Sequence, residues 1–89
     1  MNKQKLPNEY LSELGHRLKL IRVALRFDQK QMSQALDTAQ SQISKIEAGN
    51  AGPTLYQLLR IKKLVEEDEY LRENVSWRWI LEGKGKGIL

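Results

Sequence analysis

Three observations predict an all-α fold. Large aliphatic residues recur at steps of three and four. Two spacings, Asp28-x-x-Gln31 and Thr54-x-x-Gln57, match helix-opening capping boxes. No stretch of four or more residues alternates as a strand with β-branched residues would. The helices are short and about five in number. The 89 residues are 40% apolar and 29% charged, the balance of an ordinary soluble globule of one domain. Such a chain has room for one small core and little for a deep, enclosed active site. Cysteine is absent, which excludes disulfides, thiolate metal sites and thiol nucleophiles. No apolar run approaches the ~18 residues of a membrane span, and Met1–Pro7 lacks the apolar stretch of a signal peptide. A cytoplasmic location is therefore expected.

In the first helix, Leu11, Leu14, Leu18, Ile21 and Leu25 form one apolar stripe, and Lys19, Arg22 and Arg26 form a basic one on another face. Asn8 is expected to cap its start, with Pro7 discouraging earlier helix. Asp28 opens a second helix with Met32, Ala35 and Leu36 inward. A third runs from about Gln40 to Ala48, with Ile43 and Ile46 inward and Gly49 as its stop. The fourth carries Leu55, Leu58, Leu59, Ile61, Leu64 and Val65. The acidic stretch Glu66–Glu69 either continues it or turns into a separate short helix. Ser76 caps a last helix holding Trp77, Trp79, Ile80 and Leu81. The expected organisation is a flexible start at 1–7, a domain at 8–82, and a glycine-rich, mobile tail at 83–89.

Charge is uneven. Residues 1–63 hold eleven Lys/Arg against five Asp/Glu, whereas residues 64–89 hold four against six. A basic front suits an anionic partner, of which nucleic acid is the usual one. Residues 27–49 carry the most information. Two helices of about eight residues meet across a connection of three or four, the arithmetic of a helix-turn-helix. Gln40, Ser41, Ser44, Lys45 and Ala48 share the outer face of the second. Its amide, hydroxyl and ammonium groups can hydrogen-bond to base edges in a major groove; by composition alone the face reads first as a solvated one, since outer faces are usually polar.

Phe27-Asp28-Gln29-x-x-Met32-Ser33, Ile43-Ser44-Lys45-Ile46-Glu47-Ala48-Gly49, Pro53, Leu58-Leu59 and Trp79-Ile80-Leu81-x-Gly83-Lys84-Gly85 together resemble the phage Cro/repressor-type helix-turn-helix (XRE) family, over roughly residues 14 to 85. The resemblance implies a compact five-helix bundle of the lambda-repressor-like DNA-binding type, here with an extended segment before the last helix. It implies a sequence-specific transcriptional regulator, expected to be a repressor, that binds double-stranded DNA, the family usually working as a dimer on a two-fold operator. Gln29 would contact a phosphate and brace the first residue of the reading helix. Gln40, Ser41 and Lys45 would read bases, with Gln42 and Ser44 peripheral. Arg22 and Glu47 would form an ion pair, with Arg22 also a phosphate neighbour, and amides near Asn50 would meet phosphates. Trp79 would be core.

Several positions depart from the pattern. Asp37 replaces the usual glycine between the two helices, Ala39 the usual Ser/Thr cap, and Lys62 an alanine. The loop Asn50–Pro53 lacks the usual Lys/Arg, and Glu66–Asn74 is extra. Tyr70, Leu71, Val75 and Trp77 in and beside that insertion either form a partner surface or fold back onto the core. Hence the alternative: a protein-interaction module, such as an antitoxin-like partner binder, that uses 66–77. An enzyme is not expected. His16, the only histidine, has no ligand spacing around it, and the Gly-Lys tail lacks the spacing and the preceding strand of a phosphate loop. No metal or cofactor is expected.

Overall fold

A computed structural model describes residues 7–88. The helices are α1 (Pro7–Ala24), α2 (Gln29–Ala35), α3 (Gln40–Glu47), α4 (Leu55–Glu67), α5 (Glu69–Asn74) and α6 (Trp77–Glu82). None of them is long and apolar enough to cross a membrane. The expected flexible start lies outside the described residues up to position 6. Pro7 does not: α1 begins on it, because a proline in the first turn lacks only an N–H that would have no helical partner. Asn8 therefore sits inside the helix rather than capping it.

Leu14, Leu18 and Ile21 of α1 are buried with Met32, Leu36, Ile43, Ile46, Ile61, Val65, Leu71, Val75, Trp79 and Ile80. Leu11 and Leu25, at the ends of the α1 stripe, are half-buried. The cap at Asp28 and the box at Thr54 both form, with Gln31 and Gln57 returning the bond to the cap backbone. Ser76 accepts from the Trp79 N–H.

Three consecutive helices stop in the same way. The pairs Phe27 N–H to Arg22 O and Arg26 N–H to Val23 O close α1, Thr38 to Ser33 and Asp37 to Gln34 close α2, and Asn50 to Lys45 and Gly49 to Ile46 close α3. Each is a Schellman stop, which needs one left-handed residue. Those residues are Arg26 (φ 63°), Asp37 (φ 55°) and Gly49 (φ 81°).

The extra segment becomes a sixth helix. Asp68 has extended backbone (φ −99°, ψ 123°), which ends α4, and its side chain accepts from the Leu71 N–H at 2.9 Å, which starts α5. Leu71 (0% exposed) and Val75 (6%) turn into the core, Trp77 is half-buried, and only Tyr70 stays well exposed. Of the two arrangements open for these residues, Leu71 and Val75 take the inward one.

The tail also departs from expectation. Gly83 caps α6 in the left-handed region. The Ser76 N–H and Oγ donate to the Lys86 carbonyl at 2.9 and 3.2 Å. Gly87 lies so close on the Trp79 ring that a Cβ there would clash, and Ile88 packs against the core. Contacts with the core thus continue as far as Ile88. Glycine composition suggested looseness, but here it permits close contact with an aromatic face.

Arg26 carries a left-handed strain that glycine would relieve, offset in part by glycine's greater freedom when unfolded. Arg26→Gly should raise stability in urea melts by about 0.5–1 kcal/mol, and Asp37→Gly by less, since Asp tolerates this region better than Arg. A loss of stability in Arg26→Gly would contradict the stop geometry at α1.

Candidate nucleic-acid interface

α2 and α3 form the two-helix unit. Ile43 and Ile46, each 3% exposed, hold α3 to the core. The close approach to α1 depends on two glycines. A Cβ on Gly15 would run into the Ile46 carbonyl, and one on Gly49 would come within 2.6–2.7 Å of Ser12. Neither approach is evident from the sequence, although a lone glycine inside an amphipathic helix is a signal of close packing.

With that face fixed, the opposite one turns outward. Gln40, Ser41, Ser44, Lys45 and Ala48 are exposed, Gln42 is half-buried, and Asn50 beyond the helix is exposed. Ala39 gives α3 no side-chain cap, and Thr38 does not replace it.

A polar knot holds the unit together. Glu47, whose side chain is 7% exposed, accepts from Arg22 Nε at 2.6 Å, Arg22 Nη2 at 3.1 Å and Gln29 Nε2 at 3.1 Å. Arg22 Nη1 donates to the Phe27 carbonyl at 2.8 Å. One guanidinium therefore joins the end of α1, the turn before α2 and the end of α3.

Three expectations change here. Every nitrogen of Arg22 bonds within the protein and its side chain is 12% exposed, so it is a brace rather than a phosphate neighbour. Gln29 reaches the last residue of α3 and not the first, because a carboxylate is a stronger acceptor than the Gln40 amide. A third concerns the loop: the Asn50 N–H is taken by the Lys45 carbonyl at 2.8 Å, which leaves its side chain as the outward group.

Other cations of the basic front also point inward. Arg17, 8% exposed, donates to the Ile80 and Leu81 carbonyls, where the Tyr10 hydroxyl joins it. Arg60 donates through Nε and Nη2 to the Ala35 carbonyl. Both satisfy the last carbonyls of a helix, where a positive charge is favoured. Lys19, Arg26, Lys30, Lys45 and Lys63 remain exposed. His16 is exposed on α1, and among the described residues no cluster of His, Cys, Asp and Glu could hold a metal ion.

Arg22→Met would leave the Glu47 carboxylate with Gln29 alone. Removing one partner of a buried pair costs about 3–5 kcal/mol, and the residual exposure here places the expected loss near the lower end. Glu47→Gln should cost less, since the amide still offers an oxygen. Urea melts would check both, and losses under ~0.5 kcal/mol for Arg22→Met would show that the knot does not hold α3.

A family model described as a helix-turn-helix domain matches residues 15–86, which takes in most of α1 and all of the later helices. No curated protein matches the chain.

Proposed function

Because the chain belongs to the helix-turn-helix domain family, we propose that it is a sequence-specific double-stranded DNA-binding regulator of transcription, most simply a repressor, that acts as a homodimer in the cytoplasm. The observation that carries this is the outward face of α3: a row of amide, hydroxyl and ammonium groups without a large apolar side chain, on a helix anchored from behind. Such a helix fits the major groove, about 12 Å wide.

In this reading Gln40 pairs with an adenine edge through both ends of its amide. Lys45 reaches the O6 and N7 acceptors of guanine, and Ser41 and Ser44 accept or donate as the sequence requires. Gln42 lies at the margin. Gln29 and the Asn50 side chain flank the helix at phosphate level, where contacts position the protein without specifying sequence. Arg22 acts one step removed, by fixing α3. Two copies on a two-fold operator place their reading helices about one DNA turn apart, and occupancy excludes polymerase.

The interaction-module reading needs an apolar patch at 70–77, and Leu71 and Val75 are buried there. That observation favours the DNA reading.

An operator selected from random duplexes allows the test. Gln40→Ala and Lys45→Ala should each weaken binding to it by ~1–3 kcal/mol, the worth of one well-made hydrogen-bonded pair with a base edge. Each should also relax base preference, at different positions of the half-site. Anisotropy titrations on single-base operator variants would read this. Unchanged discrimination in both proteins would defeat the assignment of α3 as the reading helix.

A further inference from the structure

We infer that the exposed apolar start of α4 is the surface through which two copies of this chain pair, α4 against α4 and antiparallel, about the two-fold axis of the operator. The inference rests on the DNA reading above. Leu55 is 71% exposed, Tyr56 56% and Leu59 52%, while Gln57, Ile61 and Val65 hold the other side of the helix to the core. Single exposed leucines are ordinary; three large apolar residues within five positions of one helix make a patch.

The charge pattern names the occupant. Along this outer side α4 runs from Leu55, Tyr56 and Leu59, through exposed Lys63, to exposed Glu66 and Glu67. Apposed in parallel, two copies set lysine on lysine and glutamate on glutamate. Apposed antiparallel with the axis near Leu59, Lys63 of one copy lies over Leu55 and Tyr56 of the other. Its stem covers apolar surface there and its ammonium meets the ring. Glu67 then approaches the positive N-terminal end of the opposite helix, while Glu66 is held by Lys62 of its own helix at 2.6 Å. The surface is complementary to its own reverse, as a two-fold contact must be.

Reach and area agree with this. Half-sites one turn apart put each reading helix about 17 Å from the axis. The eight-residue step from Glu47 to Leu55 spans at most ~28 Å, and Ala51 and Gly52 draw that loop in against the core and Leu11. At these exposures each side chain offers on the order of 100 Å², so the patch falls well short of the ~800 Å² per partner of a standard stable interface. The pair is therefore weak in free solution and closes when DNA holds both copies side by side.

The test uses the whole chain. Leu55→Gln with Leu59→Gln adds no charge, and both sites are exposed, so the melting curve should hold. Affinity for a single half-site should be unchanged. Affinity for the full operator should fall by about a hundredfold, with cooperativity lost. Because the protein has no cysteine, Leu59→Cys gives a second measurement. It should oxidise to a covalent dimer faster on operator DNA than free, whereas Arg78→Cys on α6 should not. Retained cooperativity in the double variant, or equal loss on half-site and full operator, overturns the pairing surface. So does the absence of a cross-link in Leu59→Cys. If the wild type binds no DNA, yet Leu59→Cys alone cross-links and the double variant alone lowers self-association in sedimentation, the pairing stands and the DNA reading falls.

Discussion

The arrangement of the two-helix unit depends on the Glu47 carboxylate. It is nearly buried, and a buried charge is tolerable only when its hydrogen-bonding capacity is met. Arg22 meets it with two bonds and Gln29 with a third. The need follows from the geometry of α3. α3 has eight residues, too few to be stable alone, and one of its faces is left to solvent. Ile43 and Ile46 are its only large apolar anchors. Close seating on Gly15 and Gly49 adds contact, and the ionic knot adds orientation, because a bidentate guanidinium fixes angle as well as distance.

The basic front therefore overstates the field that reaches solvent. Arg17, Arg22 and Arg60 each end on backbone carbonyls or on Glu47. Arginine suits these positions because its planar fork can satisfy two acceptors at once, which a lysine ammonium does with less definition. Among the described residues of that front, what faces outward is a thinner set of lysines with Arg26, and the loop after α3 contributes none. On the proposed function, non-specific attraction to phosphates is modest, and affinity has to come from base edges and from holding two copies together.

The local signals were legible in the sequence. The boxes at Asp28 and Thr54, the cap at Ser76 and the stop at Gly49 depend on neighbours a few residues apart, and all formed. What depended on distant residues was not legible. Six aliphatic residues in α4 exceed what one stripe can hold, so spacing could not say that Leu55 and Leu59 turn outward. The acidic run left two outcomes open, and Asp68, as the end of one helix and the cap of the next, gives the separate helix. The tail looked loose until the Trp79 ring was there to receive Gly87. In the candidate site, the outer face of α3 followed from periodicity alone. The pairing of Arg22 with Glu47 came only through family resemblance, and the reach of Gln29 to Glu47 came from neither.

The places where the chain breaks local rules are concentrated. Asp28, Thr54, Asp68 and Ser76 cap their helices in the ordinary way. Arg26 and Asp37 are non-glycine residues in left-handed backbone, and Ala39 is a cap without a side-chain acceptor. All three lie within residues 26–39 and flank α2. Strain of this kind persists only where the surroundings over-determine the backbone. Arg22 and Gln29 supply that constraint from both sides of the turn before α2, through a carboxylate at the far end of α3. The angle between α2 and α3 is accordingly set less by the three or four residues that connect them than by side chains converging on Glu47. That is why the connection can dispense with both the glycine and the hydroxyl cap that local chemistry would choose.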